Sequence, residues 1–299
     1  MSINWSGVIP ALTTKFKEDD SLDMAMFTSS LQAQIEAGIN GLIIGGSLGE
    51  ASTITTHEKG ELVKRSVELA KGKIPVIVNI AEGSTREAIH QAEEALKWGA
   101  RGLMLLPPMR YKSDNRETLA FFKTVAGSTP LPILIYNNPV DYKIEVTVDM
   151  FESLMDCENI QAVKESTRDV TNVIRLRQRL GDRLKILCGV DTIAMEELVM
   201  GADGWVAGLV NAFPKETVAI YRLIKAGQIS EAAQIYRWFM PLLELDIHPK
   251  LVQNIKLAES FTGLGTEWVR APRLILAGEE RERVIKIIKE GIASRPELK

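Results

Sequence analysis

A (β/α)8 barrel with a small C-terminal helical extension is the fold class this sequence predicts, on three observations. Short apolar runs recur from residue 7 to residue 208, eight in all. A stretch of helical periodicity follows each run, and glycines recur where those stretches should stop. Continuously apolar strands, unlike alternating ones, imply a parallel sheet covered on both faces. Eight strand-helix units of roughly 20 to 35 residues match a closed barrel of about 250 residues. A doubly wound open sheet is the runner-up.

The runs are "GVIPAL" near 7, "GLIIG" from 41, "IPVIVNI" from 74, "GLMLL" from 102, "LPILIY" from 131, "IQAVK" from 160, "LKILCG" from 184 and "GWVAG" from 204. Between the first two, Met24, Phe27, Leu31 and Ile35 fall three or four apart, on one face of a helix. Thr55 with Glu58, and Ser84 with Glu87, have the spacing of a capping box. Gly38, Gly72, Gly99, Gly127, Gly181, Gly201 and Gly227 stand where helices should stop, because glycine accepts a left-handed cap. After Gly227 the strand signal vanishes. Helical patterns then run over 230–245, 249–262 and 279–293, so the chain divides into a barrel, 1–229, and a three-helix extension, 230–299.

Composition excludes several function classes. With a net charge of -3 there is no basic footprint for nucleic acid and no polybasic face for a membrane surface. No run reaches the ~18 apolar residues of a membrane span. The start, "MSINWSGVIPALTTKF", lacks secretory features, and Cys157 and Cys188 are not in a CxxC pair, so a reducing cytoplasm is expected. The three histidines, His57, His90 and His248, form no recognisable ligand cluster, and no metal is expected. The turn "GGSLGE" is neither GxGxxG nor GxxxxGK, which argues against dinucleotide and P-loop cofactors, and no cofactor is expected.

In a barrel of this kind the chemistry lies at the C-terminal strand ends. Four of these carry unusual residues: "GGSLGE" (45–50), "YNNPVDYK" (136–143), "KEST" (164–167) and "GVDT" (189–192). Lys164 leaves an apolar strand. A Schiff-base nucleophile must be a neutral amine, and a desolvating barrel mouth would lower its pKa toward that form. The other reading is a lysine snorkelling at a strand end. Tyr136 holds the matching place one strand earlier, within reach for proton transfer, or else as a core aromatic with a wet hydroxyl. The "GGSLGE" turn offers backbone N–H groups and the Ser47 hydroxyl to a carboxylate, or is merely a tight strand-helix turn.

Together these residues resemble the dihydrodipicolinate synthase / N-acetylneuraminate lyase family along essentially the whole chain. "GSLGE" stands for its G-[ST]-x-G-E turn, "YNNP" for its Y-N-x-P and "VKEST" for its K-[ED]-[ST] lysine. The resemblance implies a Schiff base on Lys164, proton transfer by Tyr136, a substrate carboxylate held by Ser47 and the backbone around Leu48, and a homotetramer. Two departures stand out. Where the synthase has an arginine two residues after the Y-N-x-P proline, this chain has Asp141, which would repel the acid end of aspartate semialdehyde. Where the synthase has a tyrosine pair, "LPPMRYKSDNRE" aligns Met109 and Arg110, with Tyr111 one place late.

The segments "LPPMRYKSDNRET", "YNNPV", "CGVDTIA", "GWVAGLVNAFP" and "HPKLVQNIKLA" are similar to a branch containing 1-pyrroline-4-hydroxy-2-carboxylate deaminases. That resemblance implies a cyclic imino acid substrate, with Asp141 or Asp191 meeting its hydroxyl or its amine. Gly189 and Val206, at two further strand ends, complete the expected substrate-binding set. The alternatives are a lyase or aldolase on a 2-keto-3-deoxy sugar acid or other 2-oxo acid, dihydrodipicolinate synthesis, which Asp141 disfavours, and a barrel that binds a 2-oxo acid without turning it over.

Overall fold

The computed structural model describes residues 3–108 and 110–298; Met109 lies outside the described residues. The eight strands are β1 (Gly7–Pro10), β2 (Leu42–Ile44), β3 (Val76–Ile80), β4 (Gly102–Leu105), β5 (Ile133–Asn137), β6 (Ile160–Glu165), β7 (Lys185–Cys188) and β8 (Gly204–Ala207). Each falls on one of the eight apolar runs. All pair in parallel in the order β1-β8-β7-β6-β5-β4-β3-β2. A parallel bridge between Ala11 and Ile43 joins the two ends. The fold is therefore the expected (β/α)8 barrel.

Around it lie α1 (Met24–Ala37), α2 (Thr56–Ala70), α3 (Thr85–Lys97), α4 (Asn115–Gly127), α5 (Pro139–Tyr142), α6 (Val148–Leu154), α7 (Thr171–Leu180), α8 (Ala194–Val199) and α9 (Pro214–Lys225). Three more helices follow: α10 (Ile229–Leu243), α11 (Leu251–Thr262) and α12 (Gly278–Ala293). Thr55 and Glu58 close a reciprocal capping box at the start of α2. At Ser84 only half of the expected box forms, since its hydroxyl accepts from the Glu87 N–H without the return bond. Gly38 stops α1 in the left-handed region at φ 94°, its N–H reaching the carbonyls of Gln34 and Ile35. Gly127 corrects the expected pattern: it is the last residue of α4, and Ser128 caps that helix in the right-handed region.

Two buried ion pairs tie the barrel to α11. Lys15 bonds to Glu259 and to the Thr13 hydroxyl, and Lys256 Nζ reaches Glu50 Oε1 at 2.8 Å, with all four charged side chains at or below 1% exposure. The hydrophobic core runs without a break from the strands into Leu243, Ile255 and Leu257 of α10 and α11. The loop between those helices is thereby held over the barrel mouth.

Period-two alternation in β6 sends Lys164 and Glu165 to opposite sides. Glu165 is fully buried on the helix side, where Asn137, Asn172 and the Thr167 N–H hold it. Nearby, Glu197 of α8 is buried with neither carboxylate oxygen hydrogen-bonded. Burial, then the charge of Glu165, push its carboxyl up to about 8. A carboxyl raised in the folded state contributes stability that is complete below its unfolded pKa and is lost as pH rises through the folded value. Stability should therefore decline between about pH 4.5 and 8. Glu197→Gln removes that slope: in urea unfolding it should improve on the wild type by roughly 1–2 kcal/mol on going from pH 6 to pH 8. Parallel pH profiles for the two proteins would refute this.

Candidate active site

The C-terminal strand ends enclose a cavity of about 430 Å³. Lys164 and Tyr136 line it from β6 and β5, Gly189 follows β7, Val206 belongs to β8, and Ser47 and Leu48 come from the turn after β2. In the strand order β2 and β6 are four places apart, so the Ser47 turn faces Lys164 across the mouth. Tyr136 and Lys164 are direct register partners. Gly189 has to be glycine, because a Cβ there would meet Ser166 Oγ at 2.1 Å and Lys164 Cγ at 2.7 Å.

Lys164 is 8% exposed, with Nζ 3.9 Å from the centroid of the Tyr136 ring. Burial pulls the amine below the usual lysine range, while Tyr142, Asp246 and Asp191 pull it back toward the charged form. Among the described residues no carboxylate forms an ion pair with it. A desolvated amine without a salt-bridge partner is the state that nucleophilic addition to a carbonyl or imine carbon requires.

Tyr136 is aimed by its own turn. Pro139 starts α5 at its first position and Asn138 caps it. The Asn138 amide donates to Tyr136 Oη at 3.1 Å and to Asp141 Oδ2 at 2.7 Å. Asn137 clamps the backbone of Val146 through both ends of its amide. This corner is turn chemistry and site construction together. Burial pushes the Tyr136 phenol up to about 12, so it holds its proton at rest and takes up another only as it passes its own on.

Tyr142, at the end of the same short helix, is a residue that sequence reasoning missed. Its hydroxyl lies 3.0 Å from Ser47 Oγ, and its ring meets that of Tyr136 edge to face at 5.5 Å. The phenol is likewise raised by burial to about 12. The signal lay in "YNNPVDYK", where Tyr142 is the sixth residue after Tyr136, but only the turn of α5 brings the two rings together. Tyr111, by contrast, is 56% exposed.

The Ser47 turn is held from several sides. Asn79 Nδ2 donates to the Gly45 carbonyl at 2.9 Å, and Thr14 Oγ1 donates to that of Gly49 at 2.7 Å. Glu50, in the left-handed region, anchors the turn's end to Lys256 and to the Arg270 N–H. The N–H groups of Ser47 and Leu48 have no acceptor among the described residues, which leaves them able to receive a carboxylate.

Of the two aspartates expected to face substrate, one does and one does not. Asp141 lines the cavity. Asp191 is a correction: it lies behind the wall, 1% exposed, its oxygens accepting from Trp205 Nε1 and from the N–H groups of Gly208 and Leu209 at 2.8–3.2 Å. It caps the short turn after β8. A further acid that lines the cavity is Asp246, from the loop between α10 and α11, together with His248. The sequence reading missed Asp246, since no local pattern ties the extension to the barrel mouth. Arg168, in the left-handed region at φ 65°, lines the cavity as an exposed side chain.

Among the described residues no group of three or more His, Cys, Asp or Glu is placed to hold a metal ion, and no helix is long and apolar enough to cross a membrane.

Known proteins show the same architecture. A 4-hydroxy-tetrahydrodipicolinate synthase of Exiguobacterium sibiricum is 32% identical over 275 residues, covering 91% of this chain and 92% of its own. The synthase of the methanotroph Methylacidiphilum fumariolicum superposes with a TM-score of 0.91 at 30% identity, over 96% of each chain. A monomeric dihydrodipicolinate synthase variant superposes with a TM-score of 0.90 at 26% identity, over 96% of each chain. Residues 4–291 match the dihydrodipicolinate synthetase family, and the chain belongs to it.

Proposed function

We propose that this member of a lysine Schiff-base enzyme family deaminates 1-pyrroline-4-hydroxy-2-carboxylate to 2,5-dioxopentanoate and ammonia. The observation that carries the reading is the charge of the cavity. Asp141 lines it where the resembling synthases have an arginine. A site so lined favours a substrate whose far end donates hydrogen bonds or becomes cationic, and it repels a second carboxylate.

In this reading the substrate carboxylate sits on the N–H groups of Ser47 and Leu48 and on the Ser47 hydroxyl, with Gly189 and Val206 shaping the pocket around it. The neutral Lys164 amine adds to carbon 2 and the ring nitrogen departs, opening the ring by exchange of one imine for another. Tyr136, steadied by Asn138, carries the protons that these additions and departures require. Loss of the 4-hydroxyl as water follows and leaves a double bond between carbons 3 and 4. Proton transfers from carbon 5 to carbon 3 and from the terminal nitrogen to carbon 4 turn the terminal amine into an imine, and water then hydrolyses that imine to ammonia and the Lys164 imine to product. Asp141 accepts a hydrogen bond from the amine as it becomes cationic.

A second reading, a lyase on an extended 2-oxo acid, is favoured by Arg168 at the cavity lining, where a guanidinium would meet a distal anion. A substrate panel scoring ammonia against pyruvate separates the two. Wild type should release ammonia from the hydroxylated pyrroline, and Lys164→Ala should release none. Borohydride should fix substrate mass on Lys164. Pyruvate as the sole product would select the lyase, and failure to trap any 2-oxo acid would point to a barrel that only binds.

Asp141→Asn should raise KM for the pyrroline about tenfold with a smaller change in kcat, the pattern of lost binding common to ground and transition states. Unchanged kinetics would remove Asp141 from the site. For the assembly we propose a homotetramer, following the family resemblance. Sedimentation velocity at micromolar concentration checks this, and a single species at the 33.1 kDa of the chain would exclude it.

A further inference from the structure

The loop between α10 and α11 supplies the cavity with a group of its own. Asp246 packs against bare backbone: a Cβ on Gly208 would meet its Oδ1 at 2.4 Å. The N–H of that same glycine donates to Asp191 at 3.1–3.2 Å, so the two carboxyl groups lie on either side of one residue. They are not equivalent. Burial raises the Asp191 carboxyl above the ordinary carboxylate range, and the hydrogen bonds it accepts from two backbone N–H groups and an indole offset part of that rise. No side chain among the described residues donates to Asp246. Burial, then the charge of Asp191, hold its carboxyl well above the ordinary carboxylate range. Of the two, Asp246 is raised further and has fewer donors to hold a negative charge.

A second observation marks the same cavity as one that receives a polar ligand atom. Ser166 lines this cavity, the residue is 1% exposed, and its Oγ makes no hydrogen bond of normal geometry although it lies near enough to Tyr136 to lower that phenol slightly. Asp141 is the less suitable acid, because it is exposed and its carboxylate is occupied by Asn138. Tyr136 is committed to the register position beside Lys164.

We propose that Asp246 is a catalytic acid that gives its proton to the oxygen leaving carbon 4, an inference that rests on the deamination reading above. After ring opening, carbon 3 loses a proton, which passes by way of Tyr136 to water in the cavity, and the Lys164 imine becomes an enamine. The enamine electron pair forms the bond between carbons 3 and 4 as the carbon–oxygen pair leaves carbon 4. The departing oxygen takes the Asp246 proton and leaves as water. Asp246 remains as a carboxylate and is reprotonated from water before the next turnover. No oxidant or reductant is required.

Asp246→Asn keeps the shape and removes the acid. Three measurements on the purified full-length protein separate its roles. Ammonia release from the hydroxylated pyrroline should fall about 100-fold or more, the range of a lost general acid. Exchange of pyruvate methyl protons with deuterated water, which needs Lys164 and the enamine but no leaving group, should stay within about threefold. Fluoride release from 4-fluoro-1-pyrroline-2-carboxylate should also stay within about threefold, because fluoride departs without a proton. Equal losses on the hydroxyl and fluoro substrates would reduce Asp246 to a shaping residue, and parallel loss of pyruvate exchange would place its effect on Lys164; either overturns the proposal. Near-wild-type ammonia release overturns it while deamination stands. A wild type that exchanges pyruvate protons but releases no ammonia overturns both.

Discussion

Lys164 leaves β6 with its amine inside the barrel mouth, where desolvation penalises the charged form and an aromatic face at 3.9 Å takes the place of water. Much of the site follows from accommodating that amine. A carboxylate in direct contact would pin it as ammonium, and strand alternation turns the adjacent Glu165 to the far side of the sheet. Gly189 is bare because the lysine stem and Ser166 occupy the space where its side chain would stand. Tyr136 is held over the amine by a corner whose two asparagines spend their amides on positioning.

The extension belongs to the same construction. Lys256 and Glu259, both on α11, pair with Glu50 and Lys15 of the barrel in the dry interior. Breaking such a buried pair by removing one partner typically costs about 3–5 kcal/mol, since the remaining charge has no water to return to. Glu50 is also the end of the turn that carries Ser47 and Leu48. One ion pair thus fixes that turn against α11, and through α11 the loop that carries Asp246 and His248 into the cavity.

Three aspartates around the mouth differ only in their surroundings, and that is enough to give them three tasks. Asp191 is saturated with donors and caps the turn after β8. Asp141 is tied to Asn138 and faces the cavity from α5. Asp246 has no side-chain donor and lies against a glycine with Asp191 beyond it. Burial and hydrogen bonding, rather than residue type, set these three side chains apart.

The sequence by itself determined the strands, the helices and the two strand-end residues that meet in the cavity. Strand and helix signals are local, so eight apolar runs and their caps read directly onto β1 to β8. Lys164 and Tyr136 were legible because neighbouring parallel strands in register bring equivalent strand-end residues side by side. What only the tertiary structure decided is which further side chains point inward. Asp191 sits one turn past a strand yet faces away, because the backbone after β8 offers it stronger hydrogen bonds than the cavity does. Asp246 reaches the mouth from 82 positions beyond Lys164 because buried ion pairs and a continuous apolar core seat α11 there. Such placement depends on long-range packing between elements, and no local window of sequence carries that information.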